Sequence, residues 1–199
     1  MMQGLEWIAV ILSAVSVFLS ARENIWSWPT AIVSVAMYAY VFLRSGLYSD
    51  AGLQVFYLLI SLYGWYEWLH GGENRSRLHV SRATAKTWTV SAAFGVVFWI
   101  ALGLLTSRLK GVSLPFVDSA LATLSIVAQV MMTRKILENW ILWIIADIAY
   151  VPMYIYKGLY PTALLYAVFL GLAIMGLIEW RRSHARDHAV APHPAPIPA

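Results

Sequence analysis

Residues 46–68 read GLYSDAGLQVFYLLISLYGWYEW, and residues 158–180 read GLYPTALLYAVFLGLAIMGLIEW. Gly46-Leu47-Tyr48 returns as Gly158-Leu159-Tyr160. Ala51, Leu53, Leu58, Gly64, Glu67 and Trp68 return as Ala163, Leu165, Leu170, Gly176, Glu179 and Trp180, giving nine identities in 23 positions. Such runs lack the ten-residue alternation of membrane strands and are long enough to cross a bilayer as helices. The likeness extends upstream. Leu12-Ser13 and Arg22 match Leu124-Ser125 and Arg134, and Glu23-Asn24 with Trp28 match Glu138-Asn139 with Trp143 if a three-residue gap is admitted. Self-similarity on this scale marks a duplicated unit.

The rest of the chain has the same character. Its 199 residues are 60% apolar and 12% charged, and the mean hydropathy is +0.67, which is a membrane composition rather than a soluble one. Apolar runs bounded by charge or turn residues predict seven spans, at 5–21, 26–43, 51–69, 88–106, 115–132, 140–156 and 162–180. The first has no basic n-region and is read as a helix rather than a cleavable signal. The fold expected is an all-α integral membrane protein of seven transmembrane helices. Three spans finish on the side opposite their start, so a parallel second copy of three needs one reversing helix. The span at 88–106 supplies it. The plan is therefore 3+1+3, parallel repeats of three-helix bundles, with a bundle at 1–70, a basic linker and connecting helix at 71–110, a second bundle at 111–182 and a disordered Pro/His tail at 183–199.

Charge sets the orientation. Ten of the fourteen basic residues fall on one side of the predicted spans, among them Arg75, Arg77, Arg82, Lys86, Arg134, Lys135, Arg181 and Arg182. Arg44, Arg108, Lys110 and Lys157 fall on the other. By the positive-inside rule the N-terminus is outside and the C-terminus cytoplasmic. The net charge of +4 lies in short connections and suits lipid headgroups; no basic stripe for nucleic acid is present. The absence of cysteine removes disulfides, thiolate catalysis and thiolate-held metals. His184, His188 and His193 sit in the Pro-rich tail, where no fixed geometry holds a metal. No phosphate-binding glycine loop, HExxH helix or Ser/His/Asp set occurs in the spans, so neither enzyme nor cofactor is expected.

Polar side chains inside hydrocarbon are expensive and usually face a bundle interior or a wet cavity. In the sixth span Asn139, Trp143, Asp147, Tyr150 and Tyr154 recur at helical spacing on one face, with Trp140 at its edge. In the third span Gln54, Tyr57, Ser61, Trp65 and Trp68 do the same, and Gln129 interrupts the fifth. Blander roles exist for each. Tryptophans near span ends favour the lipid interface, Asn139 can cap a helix, and Asp147, Gln54 and Gln129 can bond a neighbouring helix. Pro29 and Pro152 loosen the backbone ladder, as hinges or as static kinks.

The segment Glu138-Asn139-Trp140-Ile-Leu-Trp143, followed by Asp147, Tyr150 and Tyr154, resembles the sixth-helix signature of the PnuC vitamin transporters. Leu53-Gln54 and Tyr63-Gly64-Trp65-Tyr66-Glu67-Trp68 resemble the third helix of the same family. The resemblance runs from about residue 6 to 182. It implies a fold akin to the full-length SWEET sugar transporters, and a carrier in the bacterial inner membrane, often trimeric, that moves a vitamin precursor by facilitated diffusion. Within that family a W-x-x-W pattern is associated with nicotinamide riboside, and Trp140 and Trp143 fit it. The resemblance assigns Asn139 and Trp143 to ligand contact, with Trp140 supporting. Gln54, Tyr57 and Gln129 rest more on spacing than on motif. Two alternatives stay open: another vitamin precursor such as thiamine, and a proton-coupled carrier using Asp147.

Overall fold

The computed structural model describes residues 2–44, 48–108, 114–156 and 158–190. Gly46 and Leu47 of the repeat, the basic residues Lys110 and Lys157, and the tail from residue 191 with His193 and its four prolines lie outside the described residues.

Seven α-helices form among the described residues: α1 Met2–Ala21, α2 Ser27–Arg44, α3 Tyr48–His70, α4 Ala85–Thr106, α5 Pro115–Thr133, α6 Asn139–Tyr156 and α7 Tyr160–Val190. Local chemistry places several ends. The Thr84 side chain accepts a hydrogen bond from the Thr87 amide at 3.1 Å and caps α4. Pro115 opens α5, where its missing N–H costs nothing. Four helices, α4 to α7, are long and apolar enough to cross a membrane by composition alone, while the apolar part of α1, Trp7–Ala21, is shorter. In α2 and α3 the hydropathy is diluted by Ser27, Ser34, Gln54, Ser61 and Glu67, and most of these turn inward. The outward surface is apolar. On α4 alone, Val90, Val96, Val97, Leu104 and Leu105 are all exposed, the pattern of a helix whose solvent is lipid.

In α1–α3 and in α5–α7 each helix packs on the next, α4 lies on α5, and the two groups meet where α1 touches α7 and α3 touches α5. The two groups share one register. α2 and α6 each have 18 residues, and they begin 112 positions apart, the separation of Glu23 and Lys135. The turn after α1 recurs after α5 bond for bond. Glu23 N–H donates to Ser20 and Asn24 N–H to Leu19, as Lys135 does to Met132 and Ile136 to Met131. Glu23 and Lys135 both take left-handed backbone, φ 53° and 48°.

This register corrects the sequence alignment. No gap is present, and the counterpart of Trp28 is Trp140, not Trp143; Asp147 and Tyr150 stand opposite Val35 and Tyr38. The repeated Glu-Asn dipeptide misled the alignment, because backbone turns are held by hydrogen-bond geometry that identical side chains need not follow.

Paired tryptophans build the junction. The Trp28 ring lies against Gly64 and the Trp140 ring against Gly176, where a Cβ would collide with the indole. Trp28 meets Trp68 edge-on at 5.3 Å and Trp140 meets Trp180 edge-on at 5.4 Å. Across the junction, Trp68 Nε1–H donates to the Met132 carbonyl and Trp180 Nε1–H to the Ser20 carbonyl, each at 3.0 Å. Between them Lys135 Nζ, 2.9 Å from Glu23 Oε2, also lies 4.6 Å from the Trp68 ring centroid. Burial pushes the Lys135 ammonium below the usual lysine range, and the Glu23 carboxylate opposes that shift.

The basic linker is a strap rather than a solvated loop. Leu78 and Val80 pack into the tryptophan core. Ser81 N–H donates to the Lys135 carbonyl at 3.0 Å, and Leu137 N–H donates to the Ser81 carbonyl at 2.9 Å. Ala83 N–H donates to Glu138 Oε2 at 2.7 Å. The segment from residue 183, expected to be disordered, continues as α7 to Val190. Two contacts on the strap hold it there: the His184 ring with the Val80 carbonyl at 3.0 Å and His79 with Asp187 at 3.0 Å.

Three substitutions test this packing. Gly176→Ala, which places a methyl into Trp140, lowers stability in detergent by about 1–3 kcal/mol, whereas Gly171→Ala on the same helix, with open space around it, is neutral or mildly stabilising; paired thermal melts check this. Glu23→Ala costs about 3 kcal/mol because it leaves a buried ammonium unpaired, and the double variant Glu23→Ala/Lys135→Met recovers most of that loss. Arg82→Ala removes an exposed guanidinium from the buried Glu138, whose other oxygen keeps the Ala83 amide, and costs about 1 kcal/mol.

Candidate functional site

A cavity of about 450 Å³ lies between the two helical groups, within the range of small-molecule sites. Helices α1, α2 and α3 wall one side and α5, α6 and α7 the other. Of the residues singled out from sequence, Gln54, Tyr57, Ser61, Gln129, Trp140, Trp143, Asp147 and Tyr150 all line it, while Trp65, Trp68, Tyr154 and Asn139 do not. Asn139 is the one of these assigned to ligand contact. It is fully buried at the start of α6 and is not part of the wall; its Nδ2 donates to the Ile136 carbonyl at 2.6 Å.

The structure adds wall residues that sequence reasoning did not assign to the site. Trp28, Ser13, Ser16, Ser34 and Ser125 belong to it, as do Tyr166 and Phe169. The repeat held the signal for several of them. At the 112-residue register Gln54 and Tyr57 predict Tyr166 and Phe169, and Trp140 predicts Trp28. Ser13 and Ser125 are themselves a matched pair of the repeat, whereas Ser16 and Ser34 carry no comparable signal, since serine is common in apolar helices as a backbone-bonding residue. Most of these do bond locally or across α1 and α2. Ser16 Oγ donates to the Ser27 carbonyl and Ser34 Oγ to the Ala9 carbonyl, each at 2.8 Å.

Corresponding faces of α2 and α6 look onto the cavity: Trp28, Ala31 and Val35 on one, Trp140, Trp143 and Asp147 on the other. These are the same register positions with different bulk and polarity. Deeper along the wall Tyr150 and Tyr166 approach to 4.6 Å between ring centroids, and Tyr154 stacks beside them at 5.0 Å from Tyr166.

Electrostatically the wall is one-sided. Asp147, only 3% exposed, is its single acidic residue among the described residues, and no Lys or Arg lines it. A cation is therefore accommodated and a phosphate meets no counter-charge. Among the described residues no group of three or more His, Asp and Glu side chains comes together as a metal site.

Four buried side-chain atoms among the described residues lack a hydrogen-bond partner: Ser27 Oγ, Trp28 Nε1, Asn139 Oδ1 and Trp140 Nε1. They form two register-matched pairs at the first residues of α2 and α6. Buried polar atoms are seldom left unpaired, and a ligand site is one recognised reason.

The chain is similar to known transporters over nearly its whole length. It is 29% identical over 204 residues to the nicotinamide riboside transporter PnuC of Escherichia coli (strain K12), covering 90% of this chain and 85% of that protein. It is 27% identical over 186 residues to the riboflavin/roseoflavin transporter RibM of Streptomyces davaonensis, covering 92% and 86%. A crystal structure of the vitamin B3 transporter PnuC superposes with a TM-score of 0.71 at 25% identity, over 92% of this chain and 82% of that one. The family described as nicotinamide mononucleotide transporter matches residues 3–182. This multi-pass membrane chain, with a tryptophan-walled cavity between its helical groups, belongs to that family of transporters, the PnuC family.

Proposed function

We propose that this protein carries nicotinamide riboside across the bacterial inner membrane by facilitated diffusion, through alternating access of two parallel three-helix bundles joined by α4. One observation supports the substrate most directly: the cavity wall combines indole faces and a lone carboxylate with no basic side chain. Nicotinamide riboside carries a pyridinium cation, a carboxamide and ribose hydroxyls. A desolvated indole face over such a cation contributes about 2 kcal/mol, and Trp143 supplies that face. Asp147 supplies a counter-charge.

The family's description speaks of the mononucleotide, while the E. coli relative is named for the riboside. Charge favours the riboside. A phosphate brought into this wall would lose its hydration and meet Asp147 rather than a cation. Phosphorylation in the cytoplasm then traps the imported riboside, and net uptake needs no energy source within the carrier.

Asn139 fits a ligand role as an amide behind the wall residue Trp140 whose buried Oδ1 lacks a partner, so that a contact with it requires the wall to part there. That atom can accept from a carboxamide N–H or a ribose hydroxyl. Gln54, Tyr57, Gln129 and Tyr150 complete the polar wall, and Trp140 supports Trp143 from its seat on Gly176. With the N-terminus outside, the end closed by Glu23 and Lys135 faces the cytoplasm. Opening there requires the Trp68–Met132 and Trp180–Ser20 bonds to part. The family resemblance also supports assembly as a homotrimer.

A proton-coupled mechanism is favoured by one feature, the buried carboxylate of Asp147 in the wall. Uptake into proteoliposomes that is unchanged by an uncoupler, and by Asp147→Asn in its coupling ratio, removes it.

Calorimetry on the purified protein is expected to show saturable binding of nicotinamide riboside. The mononucleotide binds at least about a hundredfold more weakly, since an uncompensated buried charge costs several kcal/mol. Trp143→Ala and Asn139→Ala are expected to abolish uptake while the protein stays folded. Full-rate uptake by both variants, or displacement of the riboside by equimolar thiamine or riboflavin, overturns the substrate assignment.

A further inference from the structure

The indole and carboxylate proposed to hold the ligand's ring stand on α6, while Gln54 and Tyr57 of α3 line the other side. The unpartnered atoms stand in matched pairs on both sides: Ser27 and Trp28 opening α2, Asn139 and Trp140 opening α6. Trp28 lines the cavity and is 3% exposed. The benzenoid end of its ring packs on Gly64 and its edge contact is with Trp68, so packing explains the ring but leaves the indole N–H unexplained. Trp68 and Trp180, the neighbouring buried tryptophans, each spend that N–H on a carbonyl of the opposite helical group. Trp28 does not.

The wall on either side of this donor is unequal. One turn along α2 from Trp28 stands Ala31, the counterpart of Trp143. One further turn on stands Val35, the counterpart of Asp147. Where α6 carries an indole and a carboxylate, α2 thus carries a methyl and an isopropyl group at the corresponding places in the same wall. A flat ring stacked on Trp143 has the smaller side chains, and Trp28 one turn from them, on the α2 side of the cavity.

We infer that Trp28 is a substrate-contacting residue, its Nε1–H donating a hydrogen bond to an oxygen acceptor of the bound nucleoside from the first bundle, opposite the contacts made by α6. The inference rests on the nucleoside reading above. It narrows the ligand class, because the pyridinium ring offers no acceptor: a carbonyl or hydroxyl oxygen must be presented towards α2. It also means that the ligand bridges the two bundles, so that occupancy and their relative position are linked.

The test is a calorimetric titration of the purified full-length protein with nicotinamide riboside. The variants are Trp28→Phe and a replacement of Trp28 by its sulfur isostere 3-benzothienylalanine, which keeps the ring shape and removes only the N–H. Trp26→Phe, at an exposed span end, is the control. Both changes at position 28 are expected to weaken binding about tenfold, the worth of one hydrogen bond. The isostere is not expected to lower the melting temperature of the ligand-free protein, because it deletes a donor that had no partner. Trp26→Phe binds as the parent does. Unchanged affinity in the isostere variant overturns the inference, whatever becomes of Trp28→Phe. Equal losses of affinity and ligand-free stability in the isostere also overturn it, by showing a packing role. Failure of the parent protein to bind the riboside is a different outcome: it overturns the proposed function, and the role of Trp28 falls with it.

Discussion

An extensive apolar seam gives two helical groups in a membrane little reason to stay together, because lipid tails solvate apolar helices as well as other helices do. Here the seam is held by a few directed contacts. Trp68 and Trp180 reach across to the carbonyls that end α1 and α5, and Lys135 reaches Glu23 between them. The Ser20 and Met132 carbonyls already accept the Glu23 and Lys135 amides in the turns that follow α1 and α5, and each indole adds a second bond to the same oxygen. The contacts are exchanged: each group lends an indole and receives one. In the proposed mechanism closure at this end is cooperative, since a rigid-body motion that parts one bond parts the other.

Glycine makes that exchange feasible. Gly64 and Gly176 let the Trp28 and Trp140 rings lie directly on helix backbone, which brings α2 against α3 and α6 against α7. Trp68 and Trp180 are then held edge-on to those rings at fixed angles. The ion pair adds direction rather than much net stability. Desolvating an ammonium offsets most of its attraction to a carboxylate, but a separated Lys135 is costly in place, and the pair consequently favours either full contact or access to water. A closed end and a hydrated open end both satisfy it, while intermediate separations do not.

The same register that matches the scaffold exposes where the two halves diverge. Trp28 and Trp140 are shared, and so are Ser13 and Ser125. Ala31 against Trp143, Val35 against Asp147 and Val17 against Gln129 are not. The shared positions keep the fold, and the unshared ones make an off-centre chamber that is negative and aromatic on one flank. Symmetry in the frame with asymmetry in the lining suits a ligand that is itself unsymmetrical, a flat cation at one end and hydroxyls at the other.

The order of helices, the lengths of all but α7 to within a few residues and several polar and aromatic residues of the cavity wall were legible in the sequence. Span lengths follow from bilayer thickness, and side chains at helical spacing share a face whatever packs against it. Trp143, Asp147, Gln54, Tyr57, Gln129 and Tyr150 were found this way. What only the tertiary structure decided was pairing between segments far apart in the chain. It placed Trp28 opposite Trp140, withdrew Asn139 from the wall, folded the linker onto the junction and carried α7 to Val190. The physical reason is that periodicity reports which face of one helix is special but holds no information on distance to another helix. Those distances are set by steric fit, such as an indole on a glycine, and by hydrogen bonds to backbone atoms, which are chemically the same at every residue and so leave no mark in the sequence.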